Sequence, residues 1–255
     1  MRIGFIGVGV INEAFARGVL AQYGAAAEVL LSPRNAARAA ALAAKFPNVR
    51  VCASNQEVVD GSDWVMLAVL PRIAREVIGA LRFRDGQRAL SFISDFTLAE
   101  LRSLAAPATL TRMVPLPFVA HRVGPLAVFP DDPEVTAVFG SLGQIVPAAD
   151  EPTMDMFTAI TALMSAYFAM LGDVVGWAEA KGFPPEAAAG YTASFFEALL
   201  YKAKTLTPDE LAGHWREMTP GGLNELAVTY MRDTGAISAW SQALDKVWDR
   251  IRPAR

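Results

Sequence analysis

Short β-rich runs alternate with helical patterns through the first 146 residues, and this alternation limits the fold more than any other feature of the sequence. A strand, a helix and a strand in succession imply parallel strands joined by right-handed crossover connections. The first part of the chain is therefore expected to form a doubly wound α/β sheet. We predict strands at 2–6, 29–31, 50–52, 64–69, 89–93, 110–112, 126–129 and 144–146, with helices between the early ones at 13–23, 36–45 and 73–81.

The pattern changes at segment 147–152, which contains two prolines and two alanines. The sequence beyond it is helical in character, with helices expected at 153–181, 184–204, 208–217, 221–233 and 236–251. This change predicts two domains: an α/β domain at 1–150 and an all-α domain at 151–255.

One uncharged stretch runs from Met156 to Gly172. A membrane span needs about 20 apolar residues, and this stretch is shorter and contains Thr and Ser. We therefore expect a soluble helix that is buried on all sides rather than a membrane span. Such a helix in a small domain suggests that a second subunit covers it, in a homodimer or a higher homo-oligomer.

Charge and cysteine content exclude several classes of protein. The formal net charge is -3 and the basic residues are scattered, which argues against nucleic-acid binding. The single cysteine, Cys52, excludes an internal disulfide, and the N-terminus enters a strand directly, so no signal peptide and a cytoplasmic location are expected. His121 and His214 lack neighbouring ligands at metal spacing, so no metal site is expected.

The segment RIGFIGVGVINEAFARGV reads as a strand, a glycine turn and a helix. Gly7 permits the tight turn, and Gly9 lets the backbone approach a pyrophosphate at the helix N-terminus. The third small residue of the dinucleotide-binding fingerprint is replaced by Asn12. The position of this turn between a strand and a helix makes it a predicted dinucleotide site.

The second strand ends in a segment that distinguishes the two nicotinamide cofactors. NAD sites carry an acidic residue there, which binds the ribose 2′-hydroxyl. This chain has Ser32, Arg34, Asn35 and Arg38 instead. A hydroxyl, an amide and two guanidinium groups suit a 2′-phosphate, so the sequence predicts NADP(H) as the cofactor.

Segment 219–222, Thr-Pro-Gly-Gly, interrupts the helical sequence of the second domain. Thr219 is expected to be the N-cap of a new helix, with Pro220 in its first turn. Gly221 and Gly222 would then offer bare backbone N–H groups to an anion such as a substrate carboxylate, and Asn224 lies in the same turn. A glycine pair that allows two helices to pack closely explains the same residues equally well.

The chain resembles the pyrroline-5-carboxylate reductase family along nearly its whole length. The resemblance is carried by GFIGVGVINEA, LSPRN, SNQEVVDGSDWVMLAVLP, LTRMVPLP and TPGGLNELA. It implies a Rossmann-type domain followed by an all-α dimerisation domain whose helices interlock between subunits. It also implies proline biosynthesis, in which hydride passes from NADPH to a carboxylate-bearing cyclic imine.

The resemblance also implies site residues. Combined with the two turns described above, the expected cofactor-binding residues are Ile6, Gly7, Val8, Gly9, Val10, Ile11, Ser32, Arg34, Asn35, Asn55, Ala68, Val69, Leu70, Pro71 and Ser94, with Phe92 and Ile93 beside Ser94. The expected substrate-binding residues are Gly221, Gly222, Leu223 and Asn224. Asn224, Thr219 and Tyr167 are the candidate catalytic residues, because they could orient the substrate or relay a proton.

The chain departs from the family mainly in its substrate half. Leu70 stands where the family has lysine, and Leu223 and Asn224 stand where it has a residue followed by threonine. Two alternatives therefore remain beside pyrroline-5-carboxylate reduction. One is an NADP-dependent imine or ketone reductase with a different substrate, and the other is a non-catalytic NADP-binding protein.

Overall fold

The computed structural model of this chain describes residues 1–252. Its internal contacts divide the chain into two compact units, the first being Met1–Thr158 and the second beginning at Ala159. The first unit contains an eight-stranded sheet and the second is all helical. This is the predicted fold class, a Rossmann-like sheet domain followed by a helical domain.

The sheet of the first unit has the strand order β3-β2-β1-β4-β5-β6-β7-β8. Strands β1 to β6 are parallel, and the order reverses between β1 and β4. This is the order of doubly wound dinucleotide-binding sheets. The strands are β1 (Arg2–Ile6), β2 (Glu28–Leu31), β3 (Val49–Val51), β4 (Trp64–Leu67), β5 (Arg88–Ser91), β6 (Thr109–Val114), β7 (Pro125–Phe129) and β8 (Gln144–Pro147).

The expectation of parallel strands throughout is wrong at one edge of the sheet. Strand β7 pairs with β6 in the antiparallel direction, and β8 then runs parallel to β7. The segment between β6 and β7 contains only a short 3-10 helix, Pro117–His121. Because a crossover to a parallel strand usually requires a complete helix, this short connection returns the chain in the opposite direction.

Helices cover both faces of the sheet, with one hydrophobic core on each side. Phe5, Phe15 and Phe139 belong to one core, whereas Ile6 and Leu67 belong to the other. Neighbouring residues of β1 thus face opposite sides, as expected for a strand buried on both faces. The helices are α1 (Val10–Tyr23), α2 (Ala36–Ala43), α3 (Asn55–Gly61), α4 (Pro71–Gly79), α5 (Leu98–Leu104), α6 (Pro133–Phe139) and α7 (Glu151–Thr161).

The helix expected at 153–181 is two helices. The N–H groups of Ala162 and Leu163 bond to carbonyls three residues back instead of four, which separates α7 from the next helix. The helices of the second unit are α8 (Met164–Ala180), α9 (Pro185–Ala203), α10 (Pro208–Gly213), α11 (Leu223–Asp233) and α12 (Ser238–Ile251).

The uncharged stretch Met156–Gly172 is largely unburied in the single chain, and its burial by a second subunit stays a prediction. No residue of α8 is buried, and Phe168 and Trp177 are 54% and 62% exposed. By length and composition alone, the stretch Glu151–Ala180 would qualify to cross a membrane, and 6% of its apolar window is buried. Several apolar side chains of α8 and α9 are thus exposed in the single chain, as is typical of a surface that contacts another molecule.

Candidate active site

Gly7 ends the first strand in a conformation that other residues rarely adopt. Its φ is 88°, and a Cβ atom at this position would lie 2.6 Å from the carbonyl oxygen of Ala68. Its N–H donates to the Ser32 hydroxyl oxygen at 2.9 Å, which ties the ends of β1 and β2 together. Glycine is therefore required here by the backbone rather than by a ligand.

Gly9 is the N-cap of α1 and has a different role. A Cβ atom at Gly9 would contact nothing within 4 Å, so the space in front of the helix is open. The first helical hydrogen bond runs from Glu13 N–H to Gly9 O at 3.0 Å. The N–H groups of Val10, Ile11 and Asn12 are therefore free of helical partners and stand at the positive end of the helix dipole. This arrangement suits a bound phosphate.

Asn12 occupies the third position of α1, where the fingerprint has a small residue. Its side chain is 1% exposed, and Nδ2 donates to the carbonyl oxygen of Gly7. A neutral amide that bonds to a carbonyl leaves the helix-start N–H groups unoccupied. The substitution therefore changes how the turn is held without closing the phosphate position.

A cleft of about 500 Å³ opens beside this turn, within the first unit. It lies at the carboxyl ends of β1, β4, β5 and β6, which is where doubly wound sheets bind ligands. Most of the residues that line the cleft are apolar, as is common for cofactor sites. Its residues are Gly7, Val8, Gly9, Val10, Ile11, Asn12, Arg34, Asn35, Ala68, Val69, Leu70, Pro71, Ile73, Phe92, Ile93, Ser94, Val114, Pro115 and Thr158.

The two arginines that follow β2, Arg34 and Arg38, differ in their ion pairing. Arg38 pairs with Glu13 at 2.7 Å. Hydrogen bonds from Arg17 and Arg38 to Glu13 lower the pKa of that carboxyl, against its desolvation. Arg34, in contrast, lines the cleft, is exposed, and forms no ion pair with any residue in the described part of the chain. A 2′-phosphate at this end of the cleft would therefore meet Arg34 rather than Arg38.

Three of the expected cofactor-binding residues lie outside the cleft lining. Ile6 and Ser32 are fully buried, and the Ser32 hydroxyl oxygen is used by Gly7. Asn55 is the first residue of α3 and does not line the cleft. All the other expected cofactor residues line it, and the sequence reasoning missed Asn12, Ile73, Val114, Pro115 and Thr158.

The Pro-Gly-Gly segment differs from its sequence interpretation. Helix α11 begins at Leu223 with Gly222 as its N-cap, so Thr219 is not the N-cap and Pro220 is not in the first turn. The Gly221 N–H donates to Glu225 Oε2 at 2.5 Å, and the Gly222 N–H donates to the Thr219 carbonyl at 3.0 Å. The expectation of two bare glycine amides is therefore wrong, because both have internal acceptors.

The candidate catalytic residues of the second unit do not share a cavity. Tyr167 packs edge-on against the rings of Phe168 and Phe196 and lines a cavity between α8 and α9. Pro220 and Glu225 line a different cavity, of about 270 Å³, which also contains Arg216 and Arg232. Thr219 and Asn224 are exposed, and Leu223 is 85% exposed.

Comparisons with known proteins agree with this two-part organisation. Residues 2–94 match the family described as NADP oxidoreductase coenzyme F420-dependent, and residues 151–253 match the family described as pyrroline-5-carboxylate reductase dimerisation. The chain is 28% identical to the pyrroline-5-carboxylate reductase of Pseudomonas aeruginosa, over 98% of this chain and 95% of that protein.

Solved structures give the same result for the fold. The 1-pyrroline-5-carboxylate reductase of Streptococcus pyogenes has a TM-score of 0.84 at 22% identity, covering 99% of this chain and 98% of that one. The pyrroline carboxylate reductase of Plasmodium falciparum, solved with NADP bound, has a TM-score of 0.84 at 16% identity, covering 99% and 97%. A reductive aminase of Aspergillus terreus in complex with NADPH has a TM-score of 0.60 at 16% identity, covering 99% and 93%.

The fold and the matched domains are those of NADP-dependent oxidoreductases that carry a helical dimerisation domain. The chain is thus similar along nearly its whole length to pyrroline-5-carboxylate reductases.

Proposed function

We propose that this chain is an NADPH-dependent reductase of a small cyclic imine, with pyrroline-5-carboxylate, reduced to proline, as the first candidate substrate. The supporting observation is the cleft in the first unit, where an open helix start lies together with Arg34, which forms no ion pair with the residues that the structure describes. The proposed assignment of domains is 1–150 for NADP(H) and 151–255 for dimerisation and substrate binding.

The residues of the cleft fit a dinucleotide that carries a 2′-phosphate. The open space at Gly9 admits a pyrophosphate to the free N–H groups of α1, and the Arg34 guanidinium supplies the charge for the 2′-phosphate. The apolar lining near Leu70 and Pro71 would exclude water from the nicotinamide. When bound, NADPH supplies the hydride for the carbon of the imine.

The second domain is proposed to supply the substrate-binding residues Gly221, Gly222, Leu223 and Asn224, with the Glu225 carboxylate retained on the Gly221 amide. Asn224 would contact the substrate in place of the family's threonine, and Thr219 or Tyr167 would relay a proton to nitrogen through water. A cyclic imine near neutral pH is often already protonated, so no strong acid is required. We further propose that the protein is a homodimer, that it is located in the cytoplasm, and that it acts in proline biosynthesis.

The test is to follow NADPH absorbance in the presence of purified protein and pyrroline-5-carboxylate, with NADH as the matched control. Consumption of NADPH that exceeds consumption of NADH supports the proposal. The absence of NADPH consumption at high enzyme concentration rejects proline synthesis.

A second candidate is the reduction of a different imine, which is favoured by the position of Glu225. Its carboxylate occupies the Gly221 amide and would repel a second carboxylate. Cyclic imines with five- and six-membered rings, with and without a carboxylate, distinguish the two candidates. Turnover of neutral imines alone supports the second candidate, and NADPH binding without turnover of any imine supports a non-catalytic protein.

A further inference from the structure

Arg112 is a charged residue buried in the first unit. It lies on β6, and its side chain is 3% exposed. Its Nη2 atom donates to the carbonyl oxygen of Ser94 at 3.3 Å. Its guanidinium also pairs with Glu151 at 3.4 Å and with Asp155 at 3.6 Å. A buried guanidinium is tolerated only when it is paired and hydrogen-bonded in this way.

The partners of Arg112 belong to two walls of the cofactor cleft. Ser94 itself lines the cleft. Asp155 lies on α7 one turn before Thr158, which also lines the cleft, so the two share a helix face. Glu151 further accepts the N–H of Leu98 at 2.5 Å, which ties the start of α5 to the start of α7.

These walls enclose the end of the cleft that is opposite Arg34. Arg34 follows β2, whereas Ser94 follows β5, and these strands lie on opposite sides of β1 in the sheet. With the 2′-phosphate at Arg34 and the pyrophosphate at the start of α1, the rest of the coenzyme extends toward Ser94. This end of the cleft therefore receives the nicotinamide half.

We propose that Arg112 is a positioning residue that fixes the nicotinamide end of the cleft by joining the Ser94 loop to α7. The inference rests on the proposed function, because it assigns the cleft to NADPH. A guanidinium suits this task because its planar set of donors reaches a carbonyl and two carboxylates at once, which a lysine ammonium does not match.

The experiment compares NADPH with adenosine 2′,5′-bisphosphate, which contains the phosphate groups of the adenosine half and lacks the nicotinamide. Binding of each is titrated by calorimetry to the wild type, Arg112→Lys, Arg112→Met and Asp155→Asn. Arg102→Met, an exposed arginine on α5, is the matched control. We expect the three network variants to bind NADPH about tenfold more weakly, because loosened walls misplace the nicotinamide half. Their affinity for the bisphosphate should not change.

Two results would overturn the inference. Equal weakening of both ligands means a general loss of structure, and unchanged NADPH affinity means that the network has no positioning role. If Arg112→Met does not fold, as circular dichroism would reveal, the comparison is decided by Asp155→Asn, which retains the guanidinium. If the wild type binds neither ligand, the proposed function itself fails and the inference fails with it, a result distinct from selective loss in the variants.

Discussion

Two helices of this chain begin with a glycine-containing turn, and their first residues differ in one decisive place. At α1 the N-cap is Gly9 and the third helical residue is Asn12, whereas at α11 the N-cap is Gly222 and the third residue is Glu225. The Asn12 amide donates to a backbone carbonyl, and the Glu225 carboxylate accepts from a backbone N–H. The start of α1 therefore remains open to an anion, whereas the start of α11 is already occupied by the carboxylate of Glu225.

The difference shows that glycines at a helix start are not sufficient for an anion site. Both turns contain a glycine with positive φ, Gly7 at 88° and Gly221 at 73°. What distinguishes them is the charge of the side chain that folds back on the turn. The open helix start also borders a cleft of about 500 Å³, which gives a ligand room to bind.

The largest effect is expected for Gly7→Ala. The new Cβ would lie 2.6 Å from the Ala68 carbonyl at a φ of 88°, so the free energy of unfolding should fall by about 3 kcal/mol. Gly86→Ala is the matched control, because Gly86 has a similar φ of 73° and nothing within 4 Å of its Cβ position. Its cost should be about 1 kcal/mol. Urea unfolding measures both, and equal costs would contradict the steric argument.

The next largest effect is expected for Arg34→Glu. Reversing the charge beside the 2′-phosphate should weaken NADPH binding by about 100-fold, because a charge-assisted hydrogen bond is replaced by repulsion. NADH binding should change little. Arg38→Gln is the control on the neighbouring helix, since its guanidinium is already paired with Glu13. Comparable losses for the two coenzymes, measured by fluorescence titration, would show that Arg34 does not read the 2′-phosphate.

Gly9→Ala should affect binding without affecting stability. Nothing lies within 4 Å of the new Cβ, so the free energy of unfolding should change by less than about 0.5 kcal/mol. The methyl group would project into the space reserved for the pyrophosphate, so NADPH binding should weaken by about tenfold. Unchanged affinity in the same titration would mean that the coenzyme does not approach α1 at this point.

A smaller effect is expected for Glu225→Gln. Removing the charge should lower the KM for a carboxylate-bearing imine by about threefold, through relief of like-charge repulsion across a hydrated site. The KM for a neutral imine should not change, and this provides the internal control. If the KM values of both substrates move together, Glu225 acts on the fold of the segment and not on the charge of the substrate.

The smallest effect, on the free energy of unfolding, is expected for Glu13→Gln in the first turn of α1. The pKa of Glu13 lies below the ordinary carboxyl value of 4.5, mainly because Arg17 donates a hydrogen bond to it. A depressed pKa in the folded state stabilises the protein above pH 4.5, and this stabilisation is lost as the pH falls through the folded pKa. Glu13→Gln should therefore cost about 0.5 kcal/mol at pH 7 and nothing at a pH well below 4. A cost that does not vary with pH in urea unfolding would exclude the ion pairs as its source.

Much of the first domain could be predicted from the sequence because its local signals agree with one another. The glycine turn after a five-residue strand, Arg2–Ile6, and the basic segment after β2 both follow from elementary stereochemistry and charge. The short helices α3, α5 and α6 were missed, since each has only seven residues and too few turns to establish a period. Strand β7 itself was predicted, but its antiparallel direction was missed, because direction depends on the connection and not on the strand itself.

The second domain was harder to predict because its decisive contacts depend on exact backbone positions. Helix α11 begins at Leu223 instead of Pro220, so the N–H groups without helical partners belong to later residues than predicted. The later start also lets the Glu225 carboxylate accept a hydrogen bond from the Gly221 N–H. Helix starts are uncertain by a few residues in any sequence analysis. The buried network of Arg112 gave no sequence signal either, since its two carboxylates follow it by about 40 residues.

A crystal structure of the protein with NADPH and a proline analogue tests the contrast between the two helix starts most directly. The account predicts that the pyrophosphate accepts hydrogen bonds from the N–H groups at the start of α1, that the 2′-phosphate contacts Arg34, and that Glu225 still occupies the Gly221 amide. A coenzyme bound away from Gly9 and Arg34, or an analogue carboxylate that has displaced Glu225 from Gly221, would contradict it.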